Sequence, residues 1–255
     1  MDKKLTILVC IKQVPDSNAV VHINNGMPEY DDKTVYVINR YDEYALEEAL
    51  QLKDRGLTLH IHTVSVGPER VQKALRRSLE MGADEAYHIH FDGDAVNTPD
   101  IIAQAIIQFA QNRYDIIFTG VMSEDAMNQQ TGQLIAAMTG YNYATGVTEL
   151  SLNENTITIT RELDAQESMV YQLQLPCVIC VQSSINKPRY PSLSNVLRAR
   201  KQEIRMIKPD IMIPNKKTNC YFTMPQKTTQ CQFIEGNVSQ QVSQLYTILH
   251  KHAVL

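Results

Sequence analysis

Short, nearly unbroken apolar runs at LTILVCI (5–11), LHIHTVSV (59–66) and DIIFT (115–119) constrain this chain most tightly. A strand that is apolar on both faces has to be covered on both faces, which is the signature of a parallel sheet. Helical patterns lie between these runs. Residues 41–54 space Leu46, Ala49, Leu50 and Lys53 by threes and fours, with Tyr44 before them, and Gly56 follows as a stop. Residues 68–81 begin with Pro68, suited to a first helical turn, and end before Gly82. Residues 99–112 and 129–139 repeat the pattern. Strands alternating with helices predict an α/β fold, an open and mainly parallel sheet with helices on both faces and right-handed crossovers.

The texture changes after residue 145. Residues 147–152 and 155–163 alternate around Glu154–Asn155, which predicts a hairpin, and 168–182 supply two more strand-like stretches. Antiparallel additions to the sheet are therefore expected. Residues 203–235 hold Pro209, Pro214 and Pro225 among polar stretches without periodicity, which predicts an extended arm. Residues 238–250 carry Val238, Val242, Leu245, Ile248 and Leu249 on one face of a terminal amphipathic helix. The division expected is a main domain over 1–202 and an arm with its helix over 203–255.

Composition narrows the function. With 24 basic and 28 acidic residues among 255, the net charge of −4 argues against a nucleic-acid binder. No apolar run approaches the roughly 18 residues of a membrane span. The N-terminus has neither a signal-peptide nor a transit-peptide pattern, so a cytoplasmic protein without membrane insertion is expected. Five cysteines are an odd count and predict no disulfide framework. Cys177 and Cys180 form a C-x-x-C inside LPCVICV, which reads as a buried strand. His60 and His62, and again His88 and His90, are H-x-H pairs whose members share one side of a strand. No acidic or cysteine residue at a suggestive spacing completes a metal site, so half-exposed strand positions are the expectation and no metal is assigned.

Ligands of open α/β sheets sit at the carboxyl ends of the strands. Three such ends stand out: Cys10 to Asp16, Val66-Gly67-Pro68, and Gly120 through Thr131. A helix starting near Asn128–Thr131 offers free backbone N–H groups, with Asn128 or Thr131 as a cap or a phosphate in the same place. The G-x-G-x-x-G and P-loop fingerprints are missing, as are a nucleophile elbow and H-E-x-x-H. So thin a catalytic inventory points to a carrier or binding protein rather than an enzyme. Residues 186–201 (NKPRYPSLSNVLRARK) form a stiff loop in which two prolines bracket Arg189–Tyr190. Leu193 follows, then a basic helix-like run with Arg198, Arg200 and Lys201. An apolar tip on a constrained polar loop suits a partner's pocket.

These segments, in this order, resemble the beta subunit of electron-transfer flavoproteins. The matching pieces are IKQVPD (11–16), N-x-YDEYALEEALQLKD (39–54), TVSVGP (63–68), LRRSLEMGADEA (75–86), NQQTGQL (128–134), TRELD (160–164) and NKPRYPSLSNVLRARK (186–201). The resemblance implies a Rossmann-like domain in a heterodimer with an alpha subunit that holds the redox-active FAD. It implies AMP held structurally in this subunit. It also implies electrons passing between acyl-CoA or related flavin dehydrogenases and a quinone oxidoreductase. By the same likeness, the nucleotide pocket uses Cys10, Asn39, Arg40, Tyr41, Asp42, Val66, Gly120, Val121, Met122, Ser123, Glu124, Asp125, Asn128, Gln129, Gln130 and Thr131, with Tyr41 near the alpha-bound flavin. Leu193 and Tyr190 are implied as the partner-recognition tip, with Arg198, Arg200 and Lys201 as its basic flank, and the terminal helix as a contact with the partner subunit.

The sequence departs from the family pattern in places. The family's G-K-Q-A-x-D loop reads Gly120-Val121-Met122-Ser123-Glu124-Asp125 here, so a Lys is lost and Glu124 brings negative charge towards the expected phosphate. Arg40 replaces the usual Pro. The alternative within the family is a bifurcating subunit with a second FAD in place of AMP and NADH as donor. Its D-x-D-T-A-Q-V-G-P-like loop matches Asp125–Gly132 less well. An adenylating ligase of the same superfamily would need an S-G-G-x-D loop that is missing here. A nucleotide-sensing module without a flavoprotein partner is the remaining alternative.

Overall fold

The computed structural model describes residues 4–91, 98–163, 167–211, 221–226, 231 and 233–252. The chain divides into two units, one of residues 1–21 and 30–218 and one of residues 22–29 and 219–255.

The larger unit is built on a nine-stranded sheet. In chain order its strands are β1 (Leu5–Cys10), β6 (Leu59–Gly67), β7 (Glu85–His90), β8 (Ile116–Gly120), β9 (Asn142–Asn153), β10 (Thr156–Glu162), β11 (Ser168–Gln174), β12 (Cys177–Val181) and β13 (Ile204–Ile207). Their spatial order is β11-β10-β9-β12-β8-β1-β6-β7-β13. Every pairing from β9 through β13 across the sheet is parallel. The β9-β10 and β10-β11 pairings are the antiparallel additions. The chain turns between β9 and β10 at Glu154, in the left-handed region at φ 48°, where the Glu154–Asn155 hairpin was expected. Residues 204–207, read from the sequence as part of an arm, enter the sheet beside β7.

Helices α1 (Arg40–Asp54), α2 (Gln72–Met81) and α5 (Leu193–Lys201) go with one face of the sheet, where Ile7, Val9, Leu46, Leu75 and Phe118 are among the buried residues. Helices α3 (Pro99–Ala110) and α4 (Thr131–Thr139) go with the other, where Leu8, Ile89, Ile106, Ile117 and Val178 are buried. Alternate residues of β1 and β8 thus serve opposite cores, which is why their sequences read as continuous apolar runs. This Rossmann-like arrangement has one topological consequence. The chain runs outward through β6 and β7, then returns through α3 to place β8 on the other side of β1. The loops after β1 and β8 therefore diverge and open a crevice.

Short strands β2 (Gln13–Pro15) and β5 (Tyr36–Ile38) pair antiparallel beside this crevice. In the smaller unit, β3 (Val21–Asn24) and β4 (Met27–Tyr30) form a hairpin turned by Asn25 and Gly26, both at positive φ. Its terminal helix α6 (Val238–Lys251) starts on a capping box between Asn237 and Gln240. None of its residues is buried, and Val238, Val242, Leu245 and Tyr246 are exposed. Among the described residues no helix is long and apolar enough to cross a membrane.

Candidate functional site

A cavity of about 370 Å³ lies at the carboxyl ends of β1, β6 and β8. Two side chains at the start of α1 fix its rim. Asp42 accepts the Lys12 N–H (2.8 Å) after β1 and the Gly120 N–H (3.0 Å) at the end of β8. Asn39 donates through Nδ2 to the Met122 carbonyl (2.9 Å) and accepts the Glu124 N–H (3.0 Å). Both side chains are buried. The helix start thus pins two loops that no backbone ladder joins. Burial pushes the Asp42 carboxyl up to about 7, against the pull of the Lys12 and Gly120 N–H groups.

The third wall is the start of α4. Its N-cap position is Gln130, and no side chain caps it, so neither Asn128 nor Thr131 takes the capping role expected from the sequence. The first-turn N–H groups have no intrahelical partner. Gln129 at positive φ precedes a right-handed Gln130, the alternation that aims successive N–H groups into an anion-binding concavity. Gly132 allows the close approach: a Cβ there would lie 2.5 Å from Cys180 Sγ and 2.7 Å from Thr119 Oγ1.

Of the residues expected in the pocket, Cys10, Asn39, Asp42, Val66, Gly120, Val121, Met122, Ser123, Asp125, Asn128, Gln129, Gln130 and Thr131 line the cavity. Arg40, Tyr41 and Glu124 do not. Tyr41 backs onto Gly120, where an added Cβ would meet the tyrosine Cβ at 2.5 Å. Glu124 turns towards α1 and accepts the Arg40 N–H (3.3 Å). Its charge therefore serves that helix's N-terminus.

Lys12 and Gln13, inside the Cys10–Asp16 strand end but not named as site residues, and Arg70, outside every segment named, also line the cavity. The Lys12 ammonium reaches Asp125 Oδ1 (2.6 Å) and Ser123 Oγ (3.2 Å). Arg70 donates to Gln13 Oε1 (2.7 Å) and stacks 4.0 Å over the Tyr36 ring. Lys12 was legible within IKQVPD as the polar residue just beyond a strand end. Arg70 follows Gly67-Pro68 in a short 3-10 turn and carried no such signal. Lys12 and Arg70 bring positive charge to the cavity lining, where the 120–125 loop has no Lys.

Cysteine chemistry is shut down here. Burial pushes the Cys10 and Cys180 thiols up, and that of Cys177 up to about 12. Cys177 joins the core on the α1 face, whereas Cys180 lines the cavity on the other. The C-x-x-C therefore cannot act as a pair.

The 186–201 loop is held from below and open above. Arg189 makes a bidentate pair with Glu47 (2.8 and 2.9 Å) and reaches Asp54 (2.7 Å). Asn186 donates to the Tyr44 carbonyl and Glu48 (3.0 Å each). On this support Tyr190 and Leu193 are 89% and 76% exposed. Ser192 caps α5 by accepting the Asn195 N–H. Within the basic flank, Arg198 donates to the Leu79 and Ala83 carbonyls at the end of α2, while Arg200 and Lys201 are exposed.

The two H-x-H pairs separate in kind. His88 is buried, with Nε2 against the Gly67 carbonyl (2.8 Å) and Nδ1 near Gln72 (3.4 Å). His60 and His62 face Glu85 on the neighbouring strand, the acidic partner that linear spacing did not reveal.

The chain matches the model of the electron transfer flavoprotein domain over residues 30–212. It is 29% identical to the electron transfer flavoprotein subunit beta of Bacillus subtilis (strain 168), covering 98% of this chain and 99% of that one. The subunit beta of Methylophilus methylotrophus is 30% identical over 97% and 98% of the two chains. That of Syntrophomonas wolfei is 32% identical over 78% of each. A family domain spanning most of the sheet, and end-to-end likeness to its beta subunits, show that this chain belongs to the electron transfer flavoprotein beta-subunit family.

Proposed function

We propose that this chain is the beta half of a heterodimeric electron carrier that binds AMP in the cavity at the strand ends and clamps an FAD-bearing alpha subunit. The carrier passes electrons between flavin dehydrogenases, such as acyl-CoA dehydrogenases, and a quinone oxidoreductase. The observation that carries the reading is the cavity's make-up: the uncapped start of α4, Lys12 and Arg70, with apolar Val66 and Ile102, share one lining. Anionic phosphate fits the first set and a planar base the second. At about 370 Å³ the cavity is at the small end of ligand sites, which favours a mononucleotide over a second dinucleotide. FAD, when bound to the partner, supplies the electron-accepting chemistry. The residues of this chain bind, orient and exclude water, and the exposed Leu193–Tyr190 tip is the docking point for the dehydrogenase.

The test is mass spectrometry of the small molecules released on unfolding the purified complex, with flavin quantified per heterodimer. One AMP and one FAD are expected. Two flavins without AMP would replace this reading with the bifurcating one and NADH as donor, and a chain that purifies with neither nucleotide nor flavoprotein partner would end both.

A further inference from the structure

We propose that His60, His62 and Glu85 form a binding site for a divalent zinc-class metal ion at the amino end of the sheet. His60 and His62 lie two apart on β6, so both rings project from the same face, and they meet edge to face with centroids 4.7 Å apart. Glu85 opens the adjacent β7 and brings Oε1 to 3.7 Å from His60 Nε2 and 3.9 Å from His62 Nε2. The three ligand atoms all lie within 4.8 Å of one another. Around a tetrahedral zinc with bonds of about 2.0–2.1 Å, ligand atoms stand roughly 3.3 Å apart, so side-chain shifts of at most about 1.5 Å close the site.

Neighbouring groups orient the ligands. His62 Nδ1 lies 3.0 Å from the Tyr114 hydroxyl. With its N–H donated there, the lone pair is left on Nε2, which is buried and has no hydrogen-bond partner. Glu85 holds its other oxygen on the Tyr87 hydroxyl (2.6 Å) and the Arg205 guanidinium (3.0 Å), which turns Oε1 towards the histidines. Arg205 and Arg113 oppose a cation by charge, while Asp84 beside the site is paired to Lys53. His60 and Glu85 are about 30% exposed, which gives an ion a route in and leaves a fourth position for water. His60 and His62 precede the cavity-lining Val64 and Val66 on β6, so the metal site lies towards the amino end of the strand and the cavity towards its carboxyl end.

The experiment uses the full chain in a Cys231→Ser background, stripped with a chelator and titrated with zinc sulfate against a chromophoric competitor. Zinc retained after dialysis is counted by elemental mass spectrometry. One zinc per chain is expected, with binding weakened at least about tenfold in His60→Ala and in Glu85→Gln. His60 is partly exposed, so its variant keeps the fold, which circular dichroism checks. A rise in melting temperature with zinc, present in the parent and lost in His60→Ala, is the second readout. A parent chain that retains no zinc, or either variant binding zinc as the parent does, would overturn the proposal.

Discussion

Asp42 and Asp84 do the same mechanical work at opposite ends of the sheet. Each carboxylate ties together backbone that the strand ladders leave unpaired: Asp42 through the N–H groups of Lys12 and Gly120, Asp84 through that of Ile61. Their electrostatics differ. Asp84 also takes the Lys53 ammonium at 2.7 Å, and its carboxyl is held below the usual range by the Ile61 N–H and Lys53 despite burial. Asp42 is deeper, and the nearest ammonium, that of Lys12, is spent on Asp125 at the cavity rim, so burial lifts its carboxyl. Asp84 is thus neutralised where it stands, whereas Asp42 is left beside the cavity without a cationic partner of its own. Unfinished polar arrangements of this kind mark where a protein meets a ligand.

Four results would break or sharpen this contrast. The largest effect is expected at Gly120→Ala. The new Cβ would sit 2.6 Å from Asp42 Oδ1 and 2.8 Å from the Tyr41 backbone, with a loss of about 3 kcal/mol in urea unfolding as the rim is forced open. Next is Asp84→Asn, expected to cost about 2 kcal/mol by removing a charged acceptor from Lys53 and Ile61. The same change at Asp42 is expected to cost less at neutral pH, because the native carboxyl already titrates near 7. A larger loss at Asp42 than at Asp84 would reverse the comparison.

The third result is the pH dependence of stability. Asp42 binds its proton more tightly folded than unfolded, so its contribution favours the fold at low pH and declines as pH rises from about 4 to about 7. Asp84 has the opposite sign: its contribution is present above the unfolded value of 3.8 and is lost as pH falls through the lower folded value. In chemical denaturation across this range, Asp42→Asn should remove the decline towards neutral pH and Asp84→Asn the loss in acid. Identical profiles for the two variants would show the two ends to be alike. The smallest effect on stability is expected at Leu193→Ala, away from both ends, within about 0.5 kcal/mol of the parent. Under the proposed function it slows electron transfer from the dehydrogenase at limiting concentration, and unchanged kinetics would remove the anchor role from that side chain.

The parallel core was legible because LTILVCI and DIIFT are buried on both faces, and burial on both faces writes itself as continuous apolarity. The hairpin at Glu154–Asn155 was legible because one face of β10 is wet and alternation shows it. The β2–β5 strands were not legible. They are three or four residues long, and β2 and β5 pair across an intervening hairpin, while the Asn25-Gly26 turn between β3 and β4 went unread. The site was read in outline, since strand ends and a helix start can be located from periodicity. Side-chain direction cannot, which is why Glu124 was expected to line the cavity although it turns to α1, and why Lys12 and Arg70 were not named. Glu85 was hidden for another reason: the strand neighbouring β6 supplies it, and register between strands is not written in linear spacing.

Helix α1 holds both the cavity loops and the 186–192 loop of the larger unit. Its start pins the cavity loops through Asn39 and Asp42, and its later turns grip Asn186 and Arg189 through Glu47, Glu48 and Asp54. The cavity rim and the exposed Leu193 tip are therefore bolted to the same strut, and a tilt or slide of that strut as a rigid rod shifts both together.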